Sequence, residues 1–303
     1  MFKKLNMKQK ESITGYLFFL PALINLIFLL GIPILYALYI SFTDYNLYND
    51  LNWIGLENYR NLFTDRLFMK SLGNTLYHVV LSVPVNTILG VSLALLLNNN
   101  HLKGLKFFRT TFLLPTVVSG VAVTLLWQWI LDPNFGLINS FLMIFGVEGP
   151  GWLQSSVWSK PSIVLMNAWS VGGTMMIYLA GLQGIPKTLY DSATIDGAGS
   201  FRRFWHVTLP LLSPTIFFNV ITGSIGAFQV FTEAYIMTGE GPNNSTLYYA
   251  YHLYNKAFAD LQLGYASAMG WVLMVITLIL TLLAIRVSTK YVYYEGDKQR
   301  NNY

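Results

Sequence analysis

The sequence predicts an all-α integral membrane protein with six transmembrane helices. Only 11% of its 303 residues are charged, whereas soluble globular domains carry about 25%. Hydrophobic residues make up 54% of the chain, and they are concentrated in six long segments. Each segment holds roughly 20 or more mostly apolar residues, which is the length that the hydrocarbon core of a bilayer requires.

The composition also excludes several classes of protein. The charged residues are too few to cover a water-exposed surface of this size, which excludes an ordinary cytosolic enzyme and a disordered chain. The sequence has no cysteine, which excludes a secreted domain held together by disulfides. An integral membrane protein is the class that remains.

The six predicted spans are helices, because a helix satisfies every backbone N–H and C=O within one segment. Barrel strands would need short alternating segments, and the sequence has none. A seventh apolar segment, residues 137–147, is too short to cross and predicts an interfacial or re-entrant helix. The predicted spans are residues 15–42, 72–97, 108–131, 163–182, 215–238 and 264–287.

Prolines interrupt the first three spans, where we expect kinks at Pro21, Pro33, Pro84 and Pro115. The first span is too long for the apolar region of a signal peptide and lacks a convincing cleavage site, so we expect it to be retained. The predicted organisation is an N-terminal segment at residues 1–14, one six-helix domain at residues 15–287 and a tail at residues 288–303.

The distribution of basic residues predicts the orientation. Most of the 19 lysines and arginines lie in the N-terminal segment, the loops after spans two and four, and the tail. The positive-inside rule places these regions in the cytoplasm, together with both termini. The net charge of +5 is therefore a topology signal, and nucleic acid is not needed to explain it.

The loop between spans four and five, residues 183–214, is far longer than a passive connection requires. Pro186 favours a short helix over residues 187–195, Gly197 and Gly199 permit a sharp turn, and a second short helix is expected over residues 201–209, ended by Pro210. The residues alone leave two interpretations of this helix–turn–helix open: a docking element for another protein, or an amphipathic hairpin resting on the lipid surface.

This loop carries a resemblance to a known family. The run Asp191-Ser192-Ala193-x-x-Asp196-Gly197-Ala198, followed by Leu209-Pro210, resembles the EAA loop of permease subunits of binding-protein-dependent ABC importers, in which the pattern is E-A-A-x-x-D-G-A and then L-P. Asp191 stands where the family has Glu, and Ser192 where it has Ala. Residues 53–59, 73–75, 107–115, 129–136 and 238–242 are similar, in the expected order, to the sugar-importing branch. The sequence is thus identified as a member of the maltose-type inner-membrane permease family.

The resemblance implies a permease that forms half of a pore for a sugar or an oligosaccharide. It implies four kinds of partner or surrounding: a second homologous permease, two ATP-binding cassette ATPases, an extracytoplasmic solute-binding protein, and the lipid of a bacterial or archaeal cytoplasmic membrane. ATP and magnesium would be bound by the ATPases, and no cofactor by this chain. The residues implied to fit the ATPase are Tyr190, Asp191, Ser192, Ala193, Asp196, Gly197 and Ala198.

Polar and small residues in spans four and five are the candidates for the substrate path. Small residues at helical spacing also permit close helix packing, so packing and pore lining both remain open. Glu233 is expected to be the only ionisable side chain inside a span, with an interfacial or a pore-lining role, whereas Asp132 and Lys160 at span ends are expected to be solvated. The candidates are Asn167, Trp169, Gly173, Thr174, Tyr178, Asn219, Gly223, Ala227, Gln229 and Glu233; the two aromatic residues among them are candidates for stacking against sugar rings.

No catalytic or metal site is predicted, and the chain is not expected to be an enzyme. It contains no G-x-x-x-x-G-K-[ST] phosphate loop, no H-E-x-x-H motif, and its four histidines are scattered. A secondary transporter or channel working without an ATPase is the alternative, although no chain of acidic and histidine residues for proton coupling is evident. An ABC permease for glycerol 3-phosphate or a polyamine is a closer alternative. The lack of a pore cluster of Arg or Lys disfavours the phosphate, and the presence of only one acidic residue inside a span disfavours the polyamine.

Overall fold

A computed structural model describes residues 6–48, 51–99 and 102–293. Within these ranges every regular element is a helix, and the one β contact is an isolated bridge between Thr43 and Trp53. The all-α prediction is therefore confirmed for this part of the chain. The first five residues and the tail beyond residue 293 lie outside the described residues, so the predicted boundaries of the terminal segments stay predictions.

The helices are numbered in chain order. The first and the tenth contain π-helical turns, at Asn25–Gly31 and Phe204–Thr208, and a third π-helical turn, Asn255–Ala259, directly follows the twelfth. The helices are α1 (Met7–Ile40), α2 (Glu57–Thr64), α3 (Arg66–Leu97), α4 (Leu105–Val117), α5 (Gly120–Ile130), α6 (Leu137–Ile144), α7 (Ser159–Trp169), α8 (Gly172–Gln183), α9 (Lys187–Ile195), α10 (Ser200–Phe228), α11 (Thr232–Met237), α12 (Tyr249–Tyr254) and α13 (Leu263–Tyr291).

Four of these helices, α1, α3, α10 and α13, are each long and apolar enough to cross a membrane. Two further apolar pairs are bent, α4 and α5 by 100° and α7 and α8 by 49°. The described residues thus provide four to six candidate spans, depending on whether each bent pair counts as one. The apolar segment after α5 forms only the 8-residue α6, which is too short to cross.

Spans three and four are each bent, and the kink expected at Pro115 in span three lies at another position. Span three does not break at Pro115 but three residues later, where Val118 and Ser119 adopt extended backbone. β-Branched valine is a weak helix former, which favours a break here, and Ser119 precedes the new helix without a capping hydrogen bond from its side chain. In span four, the break lies just before Gly172, which begins α8 and whose lack of a side chain lets α8 approach α4 closely, as described below.

The prediction that Pro210 ends a separate short helix is also wrong. The helix that begins at Ser200 continues through Pro210 to Phe228. A π-helical turn immediately precedes the proline, and in it the N–H of Leu209 donates to the carbonyl of Phe204. Such a widened turn accommodates the proline ring and its missing donor. The helix then ends ten residues before the predicted end of span five, and α11 follows as a separate element.

The chain divides into two compact units. The first comprises the chain up to Thr64 together with Leu253–Met274, and the second comprises Asp65–His252 and the chain from Val275 onward. In the first unit, the buried amide of Asn58 at the start of α2 donates to the carbonyls of Ser41 and Thr43, at 2.9 and 2.8 Å. These two bonds fasten α2 to the segment that follows α1, because they satisfy two buried backbone carbonyls beyond the end of the helix.

The second unit holds the main core, in which α3 packs against α7, α8 and α10. Two glycines allow the helices to approach closely. A Cβ on Gly90 would lie 3.0 Å from the ring of Tyr178, and one on Gly172 would lie 1.9 Å from the carbonyl oxygen of Phe112. Larger residues at these positions would push the helices apart. The polar cavity lined by α3 and its neighbours depends on this close spacing.

Candidate functional site

A polar cavity of about 410 Å³ lies within the second unit, between α3, α7 and the break that separates α10 from α11. Its polar lining side chains carry amide, imidazole, hydroxyl and carboxylate groups. The lining residues are His78, Ser82, Asn86, Asn167, Gly223, Gly226, Ala227, Gln229, Val230, Phe231, Thr232 and Glu233. A polar cavity between apolar helices is unusual, because unpaired polar groups are costly inside a membrane.

The end of α10 explains why Gln229 and Glu233 reach this cavity. The N–H of Gln229 bonds to the carbonyl of Gly226 at 3.0 Å, and Phe231 leaves the helical region of backbone conformation. The chain is therefore not helical over Gln229–Phe231, between two helices. Irregular backbone at membrane depth is tolerated where it lines a cavity, and here Gln229, which is exposed, and the half-buried Glu233 both line the cavity.

The small residues of α10 line open space within this chain. A Cβ added to Gly223 or Gly226 would meet no heavy atom within 4 Å. The same addition to Gly172 would strike the backbone of α4. Of the two interpretations of the small residues, close packing therefore applies to Gly172, and cavity lining applies to Gly223 and Gly226.

His78 is the important site residue that the sequence prediction missed. It lies within α3 and is only 1% exposed, so the expectation that Glu233 is the sole ionisable side chain inside a span is wrong. Its Nε2 lies 3.4 Å from the amide nitrogen of Asn167. With Nε2 accepting from Asn167, the neutral ring carries its proton on Nδ1. That Nδ1 is buried and has no hydrogen-bond partner among the described residues.

A sequence signal for this face of α3 did exist. His78, Ser82 and Asn86 are spaced four residues apart, which places them along one side of a helix. The same side carries Asn74 one turn earlier. Scattered histidines argue against a metal site, but that test does not reveal a polar stripe along one helical face.

Tyr248 packs against His78, the residue that is hydrogen-bonded to Asn167. The two rings pack edge to face with centroids 5.3 Å apart. Burial raises the pKa of Tyr248, and the nearby Glu233 and Tyr77 raise it further. The phenol is therefore held neutral, and its buried hydroxyl has no hydrogen-bond partner among the described residues.

The structure brings together half of the residues predicted for the substrate path. Asn167, Gly223, Ala227, Gln229 and Glu233 line the cavity. Asn167 comes from α7, and the others come from α10, the break that follows it and α11. These two segments were the ones predicted to line the path, and they meet here.

The other predicted path residues lie outside the cavity. Tyr178 is fully buried against Gly90, close to Thr174, and Trp169 packs edge to face on Trp127 at 6.1 Å. Asn219 donates to the carbonyl of Thr215 in its own helix at 2.9 Å. Gly173 has only a methyl group of Thr116 near its open side, 3.9 Å from an added Cβ.

Lys160 is not the solvated residue expected from its position at a span end. It is half-buried at the start of α7, and its ammonium donates to Oδ1 of Asn74 at 3.1 Å. It also lies 4.9 Å from the centre of the Tyr77 ring. The amide of Asn74 in turn donates to the carbonyls of Asn244 and Leu247, at 2.8 and 3.0 Å. This network fastens α3 and α7 to the segment that follows α11.

The long loop after α8 forms the predicted short helix, and the prediction of residues 187–195 is confirmed by α9. Its end is a Schellman motif. Gly197 has φ of +75°, Ala198 N–H donates to the carbonyl of Ala193, and Gly197 N–H donates to that of Thr194. Gly199, by contrast, has ordinary extended backbone, so only Gly197 needs the conformational freedom of glycine.

Two side-chain hydrogen bonds join α9 to α10. The hydroxyls of Tyr190 and Thr208 are 3.0 Å apart, and Arg203 donates to the hydroxyl of Thr194 at 3.2 Å. Of the predicted coupling residues, Tyr190, Ala193 and Ala198 are half-buried, and Asp191, Ser192, Asp196 and Gly197 are exposed.

An exposed apolar surface lies beside the exposed coupling residues. Ile195 is 87% exposed and Phe201 is 78% exposed. Exposed apolar groups rimmed by polar residues are typical of interaction sites. The two hydrogen bonds that hold α9 against α10 make this surface a preformed one.

The described residues contain no group of three or more His, Cys, Asp or Glu side chains that could hold a metal ion. The chemistry available in the cavity is hydrogen bonding to hydroxyl-rich molecules. Amide, imidazole and hydroxyl groups surround it, and Glu233 is its one carboxylate.

Comparison with known proteins gives consistent matches over most of the chain. Residues 86–292 match the protein family described as binding-protein-dependent transport system inner membrane component. The "Probable ABC transporter permease protein YesP" of Bacillus subtilis is 38% identical over 98% of this chain and 97% of its own length. The trehalose/maltose transport system permease protein MalF of Thermococcus litoralis is 34% identical over 93% of this chain and 95% of its own.

A solved structure with the same fold is also available. It is a bacterial alginate ABC transporter in complex with an alginate pentasaccharide-bound periplasmic protein. The matched chain is 27% identical, with a TM-score of 0.84, over 95% of this chain and 98% of its own.

Proposed function

Because this chain belongs to the family of binding-protein-dependent transport system inner membrane components, we propose that it is a permease subunit of an ABC importer for a sugar or an oligosaccharide. The observation that carries the proposal is the cavity of about 410 Å³, with its amide, imidazole and hydroxyl groups. Such groups suit a neutral, hydroxyl-rich region of a solute. The relatives support the same class of cargo, since one is named for trehalose and maltose and the structural neighbour for alginate.

The proposed membrane arrangement has six spans. Helices α1, α3, α10 and α13 are four of them, and the bent pairs α4–α5 and α7–α8 are the other two. The loop that contains α9 then lies in the cytoplasm, as the basic residues of the sequence indicate, and is the EAA loop. Both termini are cytoplasmic, and the membrane is the cytoplasmic membrane of a bacterium or an archaeon.

The proposed complex contains a second homologous permease, two ATP-binding cassette ATPases and an extracytoplasmic binding protein. Two permeases are needed because one chain supplies only half of a pore. The ATPases bind ATP and magnesium, since this sequence has no phosphate-binding loop. In this arrangement the chain itself is not an enzyme.

The proposed coupling mechanism follows from the connection between α9 and the cavity. The bonds from Tyr190 and Thr194 make α9 move with the beginning of α10. Helix α10 has 29 residues, a length of about 43 Å at ordinary helical rise, and its far end is the break at Gln229. A displacement of α9 by an ATPase is therefore transmitted along one helix to the cavity wall, as a rigid-body switch between two packed states.

Co-purification and uptake together test this function. An affinity-tagged chain is purified from membranes, and the complex is placed in sealed vesicles with binding protein outside and nucleotide inside. We expect a second permease and an ATPase to co-purify, and labelled oligosaccharide to accumulate only with ATP and the binding protein. Accumulation against a gradient by the isolated chain without nucleotide would contradict the proposal and indicate a secondary transporter. If glycerol 3-phosphate were the only solute taken up with ATP and the binding protein, the proposed sugar cargo would be wrong, and glycerol 3-phosphate would replace it.

A further inference from the structure

A second polar pocket, separate from the cavity, lies in the first unit. Its volume is about 450 Å³, and its walls come from the segment that follows α1, from α2 and from the start of α13. It shares no lining residue with the cavity of the second unit. The proposed topology places the end of α1 outside the membrane, so this pocket lies on the extracytoplasmic side.

Six polar side chains line the pocket besides two tyrosines. All six end in a planar carboxylate or amide group, and each such group is able to hydrogen-bond two neighbouring hydroxyls at once. The six residues are Asp44, Asn46, Glu57, Asn58, Asn61 and Gln262. The half-buried rings of Tyr45 and Tyr265 add flat apolar faces, which suit the C–H face of a sugar ring. The lining therefore offers both kinds of contact that a hydroxyl-rich ring makes.

Asn58 is deeply buried in the pocket wall and lacks a partner for its oxygen. It is only 6% exposed, and its amide nitrogen makes the two bonds to the carbonyls of Ser41 and Thr43. Within the described residues nothing donates to its Oδ1. Because buried polar atoms are nearly always hydrogen-bonded, this acceptor indicates a donor that comes from outside the chain.

Three side chains at the rim of the pocket are free to bind a ligand. Glu57, Asn61 and Gln262 are exposed, and in the described part of the chain their side chains make no hydrogen bond or ion pair. Of the described residues, no Lys, Arg or His lines the pocket. The rim therefore accepts hydrogen bonds from hydroxyl groups, and its uncompensated carboxylate repels an acidic ligand.

The walls of the pocket are fixed by contacts within the first unit. The N–H of Gly264 donates to the carbonyl of Tyr45 at 2.9 Å, and a Cβ on Gly264 would overlap the carbonyl oxygen of Thr43. The carboxylate of Asp44 accepts from the N–H and the amide of Asn52, at 3.1 and 3.2 Å. A preformed site of this kind loses less conformational freedom when a ligand binds.

Strained backbone adjoins the same pocket. Leu261 has φ of +58°, a conformation that a branched side chain rarely adopts. The next residue is Gln262, which lines the pocket and whose N–H donates to the carbonyl of Lys256 at 2.8 Å. Strain of this kind is concentrated at functional sites, and here it holds Gln262 at the rim.

We propose that this pocket is a second saccharide-binding site, which takes a neutral sugar on the extracytoplasmic face. Its volume lies in the range of small-molecule sites, about 300–1,000 Å³, and exceeds what one basic side chain of a docked protein would fill. Its free groups are hydrogen-bonding groups without a positive charge among the described residues. The inference deepens the proposed function and rests on it for the side of the membrane and for the class of cargo.

The test measures saccharide binding to the purified importer complex in nanodiscs, without binding protein or nucleotide. The probes are the neutral disaccharides maltose, trehalose, lactose and cellobiose, and the acidic digalacturonate. We expect saturable binding of at least one neutral disaccharide. Asn61→Ala with Gln262→Ala should weaken this binding at least about tenfold, because two hydrogen-bonding groups are lost. Asn134→Ala with Gln154→Ala, the same change at exposed positions of the second unit, is the matched control and leaves binding unchanged.

Two further variants identify the site and the role of its charge. Asn167→Leu alters the cavity of the second unit and should leave this binding unchanged. Digalacturonate should bind at least about tenfold more weakly than the neutral disaccharide, and Glu57→Gln should strengthen its binding at least about threefold, because a repelling charge is removed. A disturbed fold would not produce such a gain, so Glu57→Gln keeps the test valid if the double variant does not assemble.

Each outcome decides between the inference and the function on which it rests. Weaker binding in the rim variant alone supports the inference. Absence of saturable binding, or its loss in Asn167→Leu and not in the rim variant, overturns the inference, and ATP-driven uptake then leaves the proposed function standing. A rim variant that weakens the binding protein's affinity for the importer but not saccharide binding also overturns it, since the pocket then docks that protein. If the wild type shows no ATP-dependent uptake of any saccharide, both proposals fail.

Discussion

Gly197→Asp tests whether the turn after α9 contacts an ATPase. The substitution costs little within this chain, so a large loss of transport would come from the contact with the partner protein. Gly197 has φ of +75°, and a Cβ there would meet nothing within 4 Å. The cost within this chain is therefore the left-handed backbone alone, about 1–2 kcal/mol for an ordinary residue and less for aspartate, which tolerates this region. That is small against the roughly 5–15 kcal/mol that stabilises a typical folded protein.

Gly146 provides a matched control for this substitution. It follows α6, has φ of +71°, and also has no heavy atom within 4 Å of an added Cβ. Gly146→Asp therefore imposes the same backbone strain and the same added charge. It does so away from α9, in the loop between the third and fourth proposed spans.

The assay measures ATP-dependent oligosaccharide uptake and ATPase activity of the reconstituted complex, normalised to the amount of permease in the membrane. We expect Gly197→Asp to lower uptake by at least about tenfold, equivalent to about 1.4 kcal/mol, because the new side chain projects into the ATPase contact. Gly146→Asp should remain within about twofold of wild type. Equal effects of the two variants, or normal uptake by Gly197→Asp at normal abundance, would refute the proposed docking of α9.

Two further predictions concern the helix packing and the cavity. Gly172→Ala should lower the thermal unfolding midpoint of the purified protein by several degrees, because its Cβ would lie 1.9 Å from the carbonyl of Phe112 and overpacking costs about 1–3 kcal/mol. The adjacent Gly173→Ala, whose nearest heavy atom is 3.9 Å away, should not change it, and equal midpoints would contradict the packing. Asn167→Leu should lower uptake about tenfold while basal ATPase activity is unchanged, since it removes a cavity hydrogen-bonding group worth about 1–3 kcal/mol. Leu165→Val, an exposed position on the same helix, is its control, and equal uptake by both variants would exclude Asn167 from the path.

Much of the fold was predictable because membrane helices obey strong local constraints. Length and apolarity located the apolar segments, which form four long helices and two bent pairs, and the prediction of α9 matched the structure at both ends. The turn at Gly197 was predictable as well, since few residues other than glycine adopt that conformation readily. These features depend on the chain within a few turns and on the hydrocarbon around it.

The helix breaks were not predictable from the same signals. Pro115 and Pro210 indicated where breaks were expected, yet the chain bends at Val118–Ser119 and continues through Pro210. A proline removes one hydrogen bond, and whether the helix bends there depends on which neighbour compensates. The close approach of Gly172 to Phe112 and the π-helical turn before Pro210 are such tertiary effects.

The sequence by itself determined the class of protein, the apolar segments, the EAA pattern and the candidate polar residues of spans four and five. Only the tertiary structure decided that Asn167, Gln229 and Glu233 share a cavity with His78, and that Tyr178 does not. The physical reason is that helical periodicity places residues on a face but does not say which faces meet. That choice is made by packing, through contacts such as those of Gly90 with Tyr178 and of Lys160 with Asn74.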